Sequence, residues 1–165
     1  MSRRHEQGRS VDRDLDTTDF HIRSAEQEDL IELGSLDRSI FGQLAYPDFV
    51  LRQLFDVHRD CWLVVDHSSG LLGYSLGVPT MDRKTGWLLG LAVRSEHWRH
   101  GYGKALTTAS LQLLRGAGVV RACLTVDPDN VAAVSLYHEV GFTVEERRND
   151  YFGPGEHRDL MVMDL

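Results

Sequence analysis

Between Trp87 and Leu114 the chain changes its hydrophobic period, and that change restricts the fold more than any other feature. Trp87-Leu-Leu-Gly-Leu-Ala-Val93 is nearly continuous in apolar residues, the pattern of a strand buried on both faces. Leu106, Ala109, Leu113 and Leu114 instead recur at helical spacing, and Gly116 and Gly118 stop that run. Between the two lies Arg99-His100-Gly101-Tyr102-Gly103-Lys104. A strand that feeds an amphipathic helix through a glycine turn requires a sheet with helices packed on it.

The rest of the chain fits that requirement. Phe20-His-Ile-Arg reads as a first strand, and Ser24 as the cap of a helix from Ala25, with Glu26, Glu28 and Asp29 where carboxylates suit a helix start. Gly42 and Pro47 mark a break before a second helix, with Phe49, Val50, Leu54 and Phe55 on one face. Cys61-Trp-Leu-Val-Val is a strand closed by a turn at Asp66–Gly70. Leu71–Val78 returns from it, and Gly73 and Gly77 mark a bulge or a close backbone approach. Val119–Val126 is the next strand, and Asp127-Pro-Asp-Asn130 turns into a helix ended by Gly141. In that helix Ala132 and Ala133 suit close packing on the sheet. Phe142 opens another strand and Leu160–Leu165 forms the last. The expectation is a single α/β domain over residues 20–165 with a mixed sheet, preceded by a polar, mobile tail over residues 1–19.

Composition narrows the class. With 25 acidic against 18 basic residues the formal charge is -7, which disfavours a nucleic-acid partner. No apolar window is long enough to span a bilayer and no secretory signal opens the chain, so no membrane partner is expected. Cys61 and Cys123 match neither a disulfide framework nor a zinc ribbon, and a cytoplasmic location follows by default. His97 and His100 stand three apart in a glycine turn rather than on a rigid face, so no metal is expected.

Two segments carry the chemistry. In Arg99–Lys104 the glycines let a phosphate approach a helix N-terminus, whose dipole favours negative charge, and Arg99, His100 and Lys104 add positive character. Taken alone, the segment is equally an ordinary turn before a helix. In Asn130-Val-Ala-Ala-Val-Ser-Leu-Tyr-His-Glu-Val-Gly-Phe142, Asn130 suits a helix cap and Tyr137 shares the apolar side with Ala133. Tyr137 reads either as a core tyrosine or as a phenol at the end of a cleft.

Together these segments resemble the GNAT superfamily of acyl-CoA-dependent N-acyltransferases. The strand Leu88–Val93 and its glycine turn resemble the acetyl-CoA motif, and Asn130, Ala133, Leu136, Tyr137, Gly141 and Phe142 match the second motif at every named position. Trp98 departs from the first motif, standing where Gln or Arg is usual; it would cover part of the cofactor or simply pack. The resemblance implies six to seven mostly antiparallel strands, splayed between the fourth and fifth, flanked by about four helices. It implies acetyl-CoA bound by Leu91, Ala92, Val93, Arg99, His100, Gly101, Tyr102, Gly103, Lys104, Asn130 and Tyr137. The Val93 N–H would stabilise the developing oxyanion, and Tyr137 would act as general acid. No base is named: Glu96 and His97 are close in sequence but could lie beyond the cleft, and water or an amine arriving partly neutral is a serious alternative.

A narrower resemblance joins Tyr151-Phe152, the glycine loop after them and Leu160-Met-Val-Met163 to protein N-terminal acetyltransferases, including the ribosomal-protein subgroup. It implies that Tyr151 borders the acceptor, with Ile40 and Phe41 as the opposing wall. The acceptor is then an amine, with a protein or peptide N-terminus favoured and a polyamine or aminoglycoside as the alternative. A non-catalytic acyl-CoA sensor is a third reading, and relatives of this kind dimerise through late strands, which extends to a homodimer here.

Overall fold

The computed structural model describes residues 20–165, and the expected N-terminal tail lies outside them. The strands are β1 (Phe20–Ser24), β2 (Trp62–His67), β3 (Gly70–Pro79), β4 (Thr85–Val93), β5 (Arg121–Val126), β6 (Thr143–Arg148) and β7 (Arg158–Asp164). The helices are α1 (Leu30–Phe41), α2 (Asp48–His58), α3 (Tyr102–Gly116) and α4 (Val131–Val140). The strands make one sheet in the order β1-β2-β3-β4-β5-β7-β6. Every neighbouring pair is antiparallel except β4 with β5, which α3 connects as a crossover. No described helix is long and apolar enough to cross a membrane.

Several local expectations need correction. Ser24 ends β1 rather than capping a helix; Glu26 and Asp29 form a capping box around a single 3₁₀ turn, and α1 follows. The buried face of α2 is Leu51 and Phe55, with Leu54 packed beside them, while Phe49 is exposed. In α3 the buried residues are Leu106, Thr107, Ser110, Leu111 and Leu114, and Leu113 faces outward. The Ser75 and Ser110 hydroxyls satisfy each other at 2.7 Å, which lets that polar position enter the core. Ala132 is exposed, Cys61 sits half-buried in a 3₁₀ turn before β2, and Asp66 and His67 still belong to that strand. The strand β4 is not buried on both faces, since Leu89 and Gly90–Leu91 are open or half-open.

The core has three clusters. One cluster joins α1 and α2 to β2 and β3 through Leu33, Leu36, Phe55, Trp62 and Tyr74. A second joins α3 and α4 to β5 and β7 through Leu111, Leu114, Leu124, Phe142 and Met161. A third joins β2 and β3 to α3 through Leu63, Val65, Leu72 and Leu106. Gly73 permits the close approach expected of it: a Cβ there would lie 2.7 Å from the Ala92 carbonyl.

One carboxylate is sealed in the first cluster. Asp37 of α1 is 0% exposed, accepts the Tyr74 hydroxyl on Oδ1 and accepts the Tyr46 N–H on Oδ2 at 2.7 Å. Burial pushes its carboxyl above the ordinary carboxylate range, against the lowering effect of those two donors.

Two stability predictions arise. Gly73→Ala drives a Cβ into backbone and should cost about 1–3 kcal/mol, whereas Gly116→Ala, with open space around its Cβ inside α3, should gain about 0.5–1 kcal/mol; urea midpoints test both. For Asp37, a raised folded value means the native state holds its proton more readily than the unfolded chain. That contribution is complete below the unfolded carboxyl value and is lost as pH rises through the folded one. Asp37→Asn cannot ionise, so its stability relative to wild type should improve as pH rises above the ordinary carboxyl value of about 4. A difference that stays constant as pH rises from about 4 to neutrality would contradict the assignment.

Candidate active site

Pairing of β4 with β5 runs from Thr85–Arg121 to Leu88–Leu124 and then stops. On the other side of β4 the register with β3 passes from Leu76–Gly90 to Gly77–Leu88, leaving Leu89 as the bulged residue without a strand partner. The two strands therefore part at Leu89, and the sheet opens toward the end of β4.

The direction of the backbone on that open edge follows from alternation. The Arg94 N–H donates to the Leu72 carbonyl at 2.8 Å, so Ala92 and Gly90 likewise face β3. Leu91 and Val93 consequently present N–H and C=O groups toward the opening. Trp98 verifies the parity, since its indole Nε1 donates to the Val93 carbonyl at 2.7 Å. At the other end the Tyr46 hydroxyl donates to the Leu89 carbonyl at 3.1 Å.

Beyond Val93 the chain turns into α3 through Arg99 and Gly101, both left-handed at φ 64° and 86°. This geometry turns a run of amides outward: those of Arg99, His100, Gly101, Tyr102, Gly103 and Lys104 have no hydrogen-bond partner among the described residues, and the first bond of the helix is Ala105 N–H to Gly101. A Cβ on Gly101 would meet nothing within 4 Å, so a ligand can reach this backbone. At Gly103 the same test gives Leu136 of α4 at 3.3 Å, which is why α3 and α4 can close on each other here. Lys104 pairs with Glu139 of α4 at 3.6 Å, and the His100 ring bonds the Trp98 carbonyl at 2.9 Å.

Asn130 caps α4, its Oδ1 accepting the Ala133 N–H at 3.1 Å, and leaves its NH₂ group available. Two turns later Tyr137 joins the core cluster that holds Leu88 and Leu124, the last paired residues, with Leu91 packed against it. Its ring is 8% exposed, and burial pushes its phenol up to about 12. No hydrogen bond to its hydroxyl forms among the described residues, yet Trp62 Nε1 is the only sealed side-chain polar atom among them without a partner. The phenol oxygen therefore reaches the accessible surface with its proton in place.

The acceptor-side residues are more dispersed. Ile40 packs into the first core cluster and Phe41 is 38% exposed at the end of α1. Tyr151 lies in the β6–β7 loop against Phe152 and the Arg148 guanidinium. Reading the sequence alone missed Tyr46, Asp37, Tyr74 and Leu89; only the Tyr46-Pro47 pair in the polar break hinted at a fixed aromatic there. Glu96 is exposed, bonded to Ser95, and held below the ordinary carboxylate range first by its own backbone N–H. His138 bonds the Phe142 carbonyl at 3.0 Å, which ties the end of α4 rather than serving the opening. Among the described residues no group of three or more His, Cys, Asp or Glu is arranged to hold a metal ion.

The profile of the acetyltransferase (GNAT) family matches residues 24–142. Mycothiol acetyltransferase of Streptomyces coelicolor is 34% identical over 116 residues, covering 70% of this chain and 35% of that protein. The chain thus spans about a third of the length of these curated relatives. The [ribosomal protein bS18]-alanine N-acetyltransferase of Salmonella typhimurium is 33% identical over 96 residues, 58% of this chain and 64% of that protein. Ard1 from Thermoplasma volcanium shares the fold, with a TM-score of 0.82 at 21% identity over 88% of this chain and 97% of that one. Split sheet, outward amide run and family profile agree, and the chain belongs to the acetyltransferase (GNAT) family.

Proposed function

We propose that this chain transfers an acetyl group from acetyl-CoA to a primary amine, and that the amine is the N-terminus of a protein or peptide. The observation that carries the reading is the open edge of β4 continuing directly into the unpaired amides of Arg99–Lys104. An elongated ligand with amides along one part and phosphates at its end fits both: the Leu91 and Val93 backbone pairs its amides, and the α3 N-terminus takes its phosphates. Ala92 lines the same strand, and the Asn130 NH₂ group lies at the start of α4 to add a hydrogen bond.

Acetyl-CoA supplies an activated acyl carbon and a thiolate leaving group. One backbone N–H of this edge, at or near Val93, stabilises negative charge as it develops on the carbonyl oxygen, and the other main-chain groups of the edge are left to pair the ligand's amides. Tyr137 donates its hydroxyl proton to the departing sulfur as the new C–N bond forms and the C–S bond breaks. A phenol raised to about 12 keeps that proton at every physiological pH, as a general acid must. The residues of β4, Thr85 to Val93, include no carboxylate or imidazole, so this strand supplies no base, and water or an amine arriving neutral serves as well as any side chain.

The N-terminal acceptor is supported by the relative that acetylates the bS18 alanine and by the aromatic Phe41 and Tyr151, with Ile40 behind, as walls for the first residues of a peptide. The mycothiol acetyltransferases favour a second reading, a small-molecule amine. A thiol-release screen with an alanine-initiated peptide, spermidine and an aminoglycoside, with product masses measured, separates the two. We expect turnover with the peptide; turnover with the small amines alone would overturn the N-terminal assignment, and acetyl-CoA binding without thiol release from any of them would make the chain a binding module. Tyr137→Phe should lower turnover by about 10²–10⁴-fold with acetyl-CoA affinity unchanged, and unaltered turnover at saturation would reject Tyr137 as the acid.

A further inference from the structure

Past Leu88, β4 has a neighbour on one side alone, so its last residues are held in the sheet only by β3. Val93 pairs with Gly73 at the very end of that ladder, where strands open most readily. Arg94 comes next and extends the hold with bonds to two successive carbonyls of β3. Its main-chain N–H donates to Leu72 at 2.8 Å, and its side-chain Nε donates to Leu71 at 2.6 Å. The guanidinium then reaches α1, where Glu32 Oε1 accepts Arg94 Nη2 at 2.8 Å and also the Leu71 N–H at 2.9 Å. A closed ring results, in which Glu32 holds the N–H of Leu71 and Arg94 holds its carbonyl.

The turn from β2 into β3 is shaped for this ring. Gly70 is left-handed at φ 111°, and a Cβ on it would stand 2.7 Å from Glu32 Oε1. The Arg94 and Glu32 side chains are 31% and 39% exposed, so their charge attraction is screened and adds little to global stability. What the ring supplies is direction. The peptide between Val93 and Arg94 is pinned at both of its polar groups, the N–H by Leu72 and the carbonyl by Trp98 Nε1. Val93 is thereby set with its own N–H on the open side of β4, and the guanidinium keeps the last bond of the ladder from opening.

We infer that Arg94, itself held by Glu32, is a positioning residue for the Val93 N–H, fixing where that donor meets the charge developing on the acyl oxygen. The inference rests on the transferase reading above. Among the described residues neither side chain bonds Leu91 or the amide run Arg99–Lys104, where the rest of the cosubstrate is held. An oxyanion donor acts mainly in the transition state, and a displacement of about 1 Å costs about 10²-fold in rate. Loss of the ring then shows in kcat and leaves cosubstrate binding in place.

The test is steady-state kinetics of the full chain with acetyl-CoA and the alanine-initiated peptide, or with spermidine if that is the productive acceptor; urea midpoints give the folded fraction of each variant. Arg94→Ala should lower kcat by about 10–10²-fold per folded molecule and leave the acetyl-CoA KM within about twofold. Glu32→Ala should fall in the same direction. Glu32→Gln keeps an oxygen that accepts both bonds, so it should recover most of what Glu32→Ala loses. The double variant should lose no more than Arg94→Ala, because the two side chains act as one unit. If Arg94→Ala does not fold, the two Glu32 variants decide the matter by themselves. Unchanged kcat in the alanine variants, a Glu32→Gln as impaired as Glu32→Ala, or a raised acetyl-CoA KM at unchanged kcat would each overturn the assignment. Wild-type turnover separates the two levels: without it the transferase reading fails and takes this inference with it, whereas an active wild type with unaltered variants removes the positioning role alone.

Discussion

Four residue pairs of parallel ladder between β4 and β5, followed by none, are the constraint on which the rest of the molecule depends. Backbone N–H and C=O groups sealed without partners cost about 1–3 kcal/mol each, so a sheet cannot simply stop pairing in its interior. Here it stops where solvent can enter, and the bulge at Leu89 bends β4 as the separation begins. Two of the freed carbonyls are satisfied by Tyr46 and Trp98, and the remaining groups are left to water or to a ligand that carries amides. The opening is therefore a polar feature inside an otherwise apolar layer, kept in place by the helices on either side of it.

Those helices depend on small residues at defined places. Leu114 of α3 lies over Gly86, where a Cβ would come within 2.7 Å of it, and Leu136 of α4 lies over Gly103. Close packing at both points brings the N-terminus of α3 alongside the beginning of the opening and Tyr137 against its last paired residues. The chemistry then needs little more than backbone and one phenol, which suits a strand without a single titratable side chain.

What could be read in the sequence was local. The cap at Asn130, the stop at Gly141 and the helical spacing of Ala133 and Tyr137 are all encoded within one stretch, and the structure places them accordingly. The turn from Arg99 to Lys104 was legible for the same reason, because glycine spacing reports backbone conformation directly. The Asp37 contacts were not legible: an Asp between Leu36 and Arg38 looks like any solvated helical carboxylate, and its partner Tyr74 is 37 positions away. Helix faces were misjudged at Phe49 and Leu113 because the size of a side chain suggested burial that helix orientation denied. The β4 strand looked doubly buried because its composition is apolar, while the absence of a neighbour beyond Leu88 is a property of the sheet as a whole.

The cleft is a seam in the sheet: β5, β6 and β7 lie on one side of it and β1 to β4 on the other. Across it run the short ladder at Thr85–Leu88 and the crossover helix α3, which touches β2, β3 and β4 on one side and α4 on the other. A ligand lying along β4 and against α4 spans that seam and acts as a clasp, resisting separation of its two sides. Occupancy would thus be felt far from the reacting atoms, as slower opening of β5, β6 and β7 together, because those strands pair with the rest of the sheet only through the short ladder next to the ligand.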